Sequence, residues 1–215
     1  MALEVKICGI STPESAAAVS KAGARLAGLN FYPRSPRSMT PEQAARVAAA
    51  LAPGVAKVGL FVDPEDDLIE TVMKSVPLDM LQLHGEETPE RVAALKARFE
   101  RPVMKVLKIA RKEDLKQVAA YAGVADRFLF DARPPKDRKD ALPGGNAVAF
   151  DWRILAGQRF PKPWMLAGGL KPENLKQAVE ISGAKAVDTA SGVESAPGVK
   201  DPERIRAFME VARSL

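Results

Sequence analysis

The sequence predicts an α/β protein, a (β/α)8 TIM barrel formed by one domain spanning residues 1–215. Three observations lead there. Eight short apolar runs recur along the chain, separated by segments with helical character. The runs are continuous rather than alternating, as strands covered on both faces are. Six X-Pro-Glu triplets punctuate the chain, each followed by a helical pattern. Strand and helix alternating at this pitch give a parallel sheet closed into a barrel. An open, doubly wound sheet is the alternative reading of the same pattern.

The first run, Val5–Cys8, leads to Thr12-Pro13-Glu14. Threonine can cap free N–H groups, proline loses nothing at the first helical position, and glutamate complements the helix dipole. Leu26–Phe31 is followed by Thr40-Pro41-Glu42 and by Ala44, Val47, Ala48 and Leu51, one face of a helix. Val58–Val62 runs into Asp63-Pro64-Glu65, with Asp63 as the expected cap, and Met80–Leu83 leads to Thr88-Pro89-Glu90. Val103–Leu107 precedes the stripe Leu115, Val118, Ala119 and Ala122. Phe128–Asp131 opens onto residues 132–147, rich in Pro, Lys, Arg and Gly, which read as an active-site loop. Only a short helical signal, near Asp151–Gly157, follows it. Trp164–Ala167 precedes Lys171-Pro172-Glu173, where lysine is a poor cap. Ala186–Asp188 precedes Asp201-Pro202-Glu203 and the stripe Ile205, Phe208, Met209 and Ala212.

Composition narrows the function. The apolar fraction of 47% is ordinary for a globular core. No apolar run approaches the roughly 20 residues of a membrane span, and the N-terminus has no signal-peptide pattern. The net charge of +5 is scattered, and two Tyr and two Trp give little for bases to stack on, which argues against nucleic acid. The modest positive bias suits a small anionic substrate. One cysteine cannot form an internal disulfide, and this fits a cytoplasmic protein. His84 is the only histidine, so a metal held by paired histidines is excluded, and no dinucleotide-type glycine motif is present.

In such a barrel, chemistry gathers at the C-terminal ends of the strands. There the sequence places Cys8, the loop holding Arg34 and Arg37, Gln82-Leu83-His84-Gly85, Asp131, Gly168-Gly169 and Asp188 to Gly192. Cys8 taken alone reads as one more small buried apolar residue, and it is the rest of the chain that overturns this reading. Lys6 lies two residues away and so on the same strand face. Asp131 is a candidate general acid or base, or else a partner for Arg133. Arg34 reads as solvated surface. The glycine turns after the seventh and eighth runs, each before a helix start, suit a phosphate group.

These residues together resemble the phosphoribosylanthranilate isomerase family. The resemblance runs essentially end to end. It rests on Lys6-Ile7-Cys8-Gly9, Ser35-Pro36-Arg37, Gln82-Leu83-His84-Gly85, Asp131, Gly144-Gly145 with Phe150-Asp151-Trp152, Gly168-Gly169-Leu170, and Ser191-Gly192-Val193-Glu194 with Lys200-Asp201. It implies an Amadori rearrangement of N-(5-phosphoribosyl)anthranilate to the carboxyphenylamino-deoxyribulose phosphate, in tryptophan biosynthesis. Asp131 would then be the general acid at the furanose ring oxygen, and Cys8 the general base at C2 of the sugar.

The same resemblance implies that Arg37 holds the anthranilate carboxylate. Gly168, Gly169, Ser191 and Gly192 would hold the phosphate, and His84, Gly145 and Asp188 would complete the substrate-binding set. It implies no cofactor and no metal, and a monomer or homodimer. The thiolate of Cys8 must be favoured locally, by Lys6 or by the cationic Schiff base, while Asp131 must carry its proton at the start of turnover. Two positions depart from the family pattern. Ala147 stands where a third glycine is usual, and Ala190 where a serine is common. The alternatives are a related aldose–ketose isomerase of histidine biosynthesis and a phosphate-binding barrel without catalysis.

Overall fold

The computed structural model of the protein describes residues 2–133, 144 and 148–215. Eight parallel strands close into a barrel in chain order. They are β1 (Glu4–Cys8), β2 (Leu26–Asn30), β3 (Ala56–Phe61), β4 (Met80–Leu83), β5 (Val103–Ile109), β6 (Arg127–Ala132), β7 (Trp164–Leu166) and β8 (Ala186–Thr189). All eight apolar runs are strands, with ends displaced by no more than two residues. β1 pairs with β8 from Glu4–Ala186 to Ile7–Thr189, and this shuts the ring.

The helices are α1 (Pro13–Ala22), α2 (Pro41–Ala49), α3 (Asp66–Ser75), α4 (Pro89–Phe99), α5 (Gln117–Tyr121), α6 (Pro172–Ser182) and α7 (Pro202–Arg213). Thr12, Thr40 and Thr88 cap α1, α2 and α4, each accepting the N–H three residues on at 3.1–3.2 Å. Asp201 caps α7 through Glu203 and Arg204. Lys171 offers no cap of its own; instead Asn174 Oδ1 accepts its N–H at 2.9 Å.

Two expectations are corrected and one element is added. Asp63 does not cap α3, which starts at Asp66; Asp63 sits at φ +44° and accepts the Glu86 N–H instead. The Leu115–Ala122 stripe is a 3-10 turn (Lys112–Lys116) followed by the short α5, with Val118 buried and Ala119 exposed. A small antiparallel hairpin, β9 (Glu194–Ala196) with β10 (Val199–Lys200), follows a 3-10 turn at Ser191–Val193 and was not anticipated. The sixth unit has only a 3-10 turn, Trp152–Ile154, where the sequence signal is short.

Strand alternation divides the interior into two cores. One face of the barrel packs on the helices, with Ile7, Leu29, Leu81, Phe128 and Phe208 among its buried members. The other face fills the lumen with Leu26, Val58, Met104, Val106, Leu129 and Met165. The lumen is therefore a packed plug, as in barrels of this size. Glu4 and Arg127 form an ion pair at the N-terminal end of the strands. The polar lumen residues Lys6, Gln82, Asp131 and Asp188 lie towards the other end, and they make the floor of the site.

Candidate active site

A pocket opens over the C-terminal ends of the strands. Cys8, Arg37, His84, Asp131, Gly168, Gly169, Asp188 and Ser191 all line it. Gly192 lines an adjoining recess with Gly169, Ser191, Lys171 and Arg204. Gly145 and Ala147 lie outside the described residues, as does most of the loop 132–147. Arg34 is exposed, as read from the sequence.

Cys8 ends β1 and points into the lumen beside Lys6, the alternate residue of the same strand. Lys6 is wholly buried, and its Nζ lies 2.9 Å from Asp188 Oδ1. Burial pushes the Lys6 ammonium down, but Asp188 and Cys8 together outweigh it, so the net direction is upward and Lys6 keeps its charge. Burial pushes the Cys8 thiol up; Lys6 pulls against it, and Asp188 adds to the rise. Both side chains need Gly28, which pairs with Cys8 across β1 and β2. A Cβ at Gly28 would stand 2.8 Å from Cys8 Sγ and 3.0 Å from Lys6 Nζ.

Asp131, the penultimate residue of β6, stands on another wall of the pocket. Its Oδ1 accepts the Ala132 N–H at 2.8 Å, and its Oδ2 lies 3.3 Å from His84 Nε2. The amide of Gln82 sits 3.3 Å from His84 Nδ1; when it donates there, the ring hydrogen is on Nε2, the nitrogen on the Asp131 side, which makes no hydrogen bond among the described residues. Gly144 covers this pair so closely that a Cβ there would fall 2.5 Å from His84 Cε1 and 2.7 Å from Asp131 Oδ2. Arg133 is not the partner of Asp131. It reaches Asp114 at 2.7 Å.

Arg37 is buried, with Nε and Nη2 each 2.8 Å from the two carboxylate oxygens of Glu194. Its stem occupies the space that a side chain at Gly9 would need, and Gly9 at φ +72° already favours glycine. Lys200 Nζ approaches the same Glu194 carboxylate at 2.5 Å, and the Ala190 carbonyl at 3.1 Å. Burial pushes Glu194 up, but Arg37 and Lys200 outweigh it and hold its carboxyl below the usual range. Burial also drives Lys200 below the ordinary lysine value, against the pull of Glu194. With both cations charged, the cluster carries one positive charge more than negative.

The turn after β7 is held open by backbone conformation and side-chain ties. Gly168 sits at φ +89°, where a Cβ would press on the Ala132 amide at 2.9 Å. Asn174 donates to the Gly169 carbonyl at 2.9 Å, and Thr189 to the Leu170 carbonyl at 2.7 Å. Residues at the start of α6, with Ser191 and Gly192 of the turn after β8, border the recess beside them, an arrangement suited to an anion.

Comparison with known proteins agrees with this geometry. The sequence model PRAI, N-(5′-phosphoribosyl)anthranilate (PRA) isomerase, matches residues 5–211. The chain belongs to the phosphoribosylanthranilate isomerase family. It is 56% identical to the N-(5′-phosphoribosyl)anthranilate isomerase of Paracoccus denitrificans over 209 residues, covering 97% of this chain and 96% of the relative. It is 54% identical to the enzyme of that name from Rhodospirillum centenum, each chain covered in full. Among solved structures, the phosphoribosyl anthranilate isomerase of Thermotoga maritima superimposes with a TM-score of 0.87 at 35% identity, covering 99% of this chain and 100% of the other. A phosphoribosyl anthranilate isomerase structure in complex with reduced 1-(o-carboxyphenylamino)-1-deoxyribulose 5-phosphate gives 0.84 at 34% identity, with the same coverage.

As a member of that family the chain is an isomerase of N-(5′-phosphoribosyl)anthranilate in tryptophan biosynthesis. The histidine-pathway isomerase and the non-catalytic barrel are set aside. Among the described residues no helix is long and apolar enough to cross a membrane. Sequence reasoning gave no role to Gly28, Glu194 or Lys200. Gly28 had a usable signal, since a glycine inside an apolar strand marks close approach. Glu194 and Lys200 stood within the family motifs, but the contacts that Arg37 and Lys200 make with Glu194 join residues 157 and 6 apart and have no periodic signature.

Proposed function

We propose that Asp131 and Cys8 are the acid and base of the Amadori rearrangement. The observation that supports this most directly is their placement on separate, non-adjacent strands of one pocket. A sugar between them meets an acid on one side and a base on the other. Asp131 gives its proton to the furanose ring oxygen. The C1–O bond breaks, the anilino nitrogen forms the C=N bond, and the nitrogen becomes cationic. The Cys8 thiolate then takes the C2 proton, and the released electron pair neutralises the C=N⁺. The enolamine tautomerises to the C2 ketone. Burial favours the thiol, and the iminium cation, forming beside Cys8, favours the thiolate when it is needed.

Arg37 holds the anthranilate carboxylate. Glu194 takes its Nε and one terminal nitrogen, which leaves Nη1 for a ligand in the pocket. The phosphate lies on the backbone donors of Gly168, Gly169, Ser191 and Gly192, with Lys171 and Arg204 on the edge of the same recess. His84 and Asp188 border the sugar, and Gly145 belongs to the covering loop, 132–147. We take residues 1–215 as one domain, working without cofactor or metal in the cytoplasm on a phosphorylated small molecule, with neither nucleic acid nor membrane as partner. Between monomer and homodimer we favour the monomer. The exposed large apolar side chains among the described residues, Leu68, Val199 and Leu215, sit on three separate elements. Sedimentation at micromolar concentration reports this directly, and a dimer would reject it.

The chemical proposal is tested by following the fluorescence of freshly made phosphoribosylanthranilate with the parent, Cys8→Ser and Asp131→Val. Each variant is expected to lose at least about 100-fold in kcat, the scale of a general acid or base. Turnover within a few-fold of the parent in either variant removes that residue from its role.

A further inference from the structure

Lys6 has no part in the steps above, yet it is the largest fully buried charged side chain of the barrel. It stands in a lumen otherwise filled by Leu26, Val58, Met104, Leu129 and Met165. A buried ion pair is a poor device for stability, because apolar residues of similar volume serve as well or better. The Lys6–Asp188 pair therefore asks for another reason. Its position supplies one: the pair lies directly beneath Cys8, and Gly28 keeps the space in which Sγ and Nζ approach a common point.

We infer that Lys6 is a positioning residue for proton abstraction, an ammonium shared between the Asp188 carboxylate and the Cys8 sulfur that sets the thiol–thiolate balance of Cys8. The inference rests on the reading of Cys8 as the general base and names what regulates it. When Cys8 is a thiol, Lys6 is matched by Asp188 alone. When Cys8 is a thiolate, Lys6 faces two anions and compensates the new one inside a low-dielectric wall. After Cys8 has taken the C2 proton, the ammonium is again matched by Asp188, and the charge count of the lumen is restored.

The other ionisable groups around Cys8 have partners of their own. Arg37, on the loop after β2, and Lys200, on β10, share Glu194. Asp131 and His84 face each other across the pocket. Lys200 also lowers the thiol, but Lys6 from β1 and Asp188 from β8 are the two charged groups that weigh most on the sulfur, and they act in opposite directions. Lys6 is the strongest influence lowering the thiol, and Asp188 raises it.

Opposite signs make the test sharp. Cys8 is the sole cysteine of the chain, so iodoacetamide alkylation followed by mass spectrometry reports on it alone. The alkylation rate against pH is measured for the parent, Lys6→Met, Asp188→Asn and the double variant. Lys6→Met is expected to raise the midpoint by about one pH unit or more and to slow alkylation at neutral pH about tenfold. Asp188→Asn is expected to lower the midpoint. The acid limb of kcat/KM should move with each. The double variant replaces the pair by two neutral side chains and leaves no unmatched charge, so it decides should Lys6→Met fail to fold; its midpoint is expected above the parent's. Midpoints that move in the same direction for Lys6→Met and Asp188→Asn, or a double variant at or below the parent, overturn the inference. A Cys8→Ala enzyme with parental turnover would instead remove Cys8 as the base, while the alkylation midpoints would still report what Lys6 does to the thiol.

Discussion

The cluster of Arg37, Glu194 and Lys200 makes a prediction in which stability and binding rank two variants in opposite order. Glu194 neutralises one of two buried cations, through paired 2.8 Å bonds to Arg37 and a 2.5 Å contact to Lys200. Glu194→Gln strips the anion and leaves two positive groups facing each other in the interior. Breaking a buried pair in this way costs about 3–5 kcal/mol, a large part of the roughly 5–15 kcal/mol that holds a domain together. Arg37→Met removes one cation and leaves Glu194 matched by Lys200, so charge balances. The loss is then the two fork hydrogen bonds, about 1–3 kcal/mol. Binding ranks the other way. Arg37→Met deletes the group that meets the substrate carboxylate and should raise KM about 100-fold, the scale of a lost charge-assisted bond of about 3 kcal/mol. Glu194→Gln keeps the guanidinium and should raise KM far less. Urea unfolding followed by the fluorescence of Trp152 and Trp164, with steady-state kinetics on the same preparations, gives both rankings. Glu194 sits below its unfolded-state pKa, so its contribution is in force above the ordinary carboxylate range and is lost as pH falls through its lower native value. The gap between Glu194→Gln and the parent should therefore close in acid. An Arg37→Met enzyme less stable than Glu194→Gln, or equal KM values for the two, would refute the charge count.

Two further predictions rest on single contacts. Gly28→Ala puts a methyl group 2.8 Å from Cys8 Sγ and 3.0 Å from the Cys8 Cα, so β1 must give way; we expect about 1–3 kcal/mol of destabilisation and a fall in kcat larger than the rise in KM, and unchanged kcat would show that Cys8 tolerates displacement. Asp114 accepts the Ala110 and Arg111 N–H groups at 2.9 and 3.0 Å and meets Arg133 at 2.7 Å; burial pushes its carboxyl up, yet these partners hold it below the ordinary range. Asp114→Asn should thus destabilise by about 1–3 kcal/mol at neutral pH, with the deficit vanishing as pH falls below the ordinary carboxylate range, where the parent loses the same interactions; a deficit independent of pH would assign the effect to shape rather than charge.

The parts of this fold that were legible in the sequence are those governed by local rules. Strands such as Leu26–Asn30 and Met80–Leu83 show as continuous apolar runs because both faces are covered. Threonine before Pro-Glu marked three helix starts correctly because the cap needs only residues within one turn. Asp63-Pro64-Glu65 carries the same signature and misleads, since the Asp63 side chain bonds to the Glu86 amide from the next loop. The Leu115–Ala122 spacing fails for a related reason: only Val118 of that stripe finds a fully buried place, and the segment tightens into a 3-10 turn. In the site, Cys8, His84, Asp131 and the glycine turns were legible because each ends a recognisable strand. The bond between Arg37 and Glu194 was not. It joins a loop after the second strand to a hairpin after the eighth, and nothing in either segment names the other.

The closure of β1 onto β8 also bears on when the protein can become active during synthesis. Lys6 and Asp188 are 182 residues apart, so the lysine at the floor of the barrel has no native counter-ion until nearly all of the chain has been made. At about 5–20 residues per second, that interval is roughly 10–35 s. Throughout it the first strand cannot bury its lumen face without leaving an unmatched ammonium. The ring, the ion pair and the environment of Cys8 are therefore complete only once the last strand has emerged.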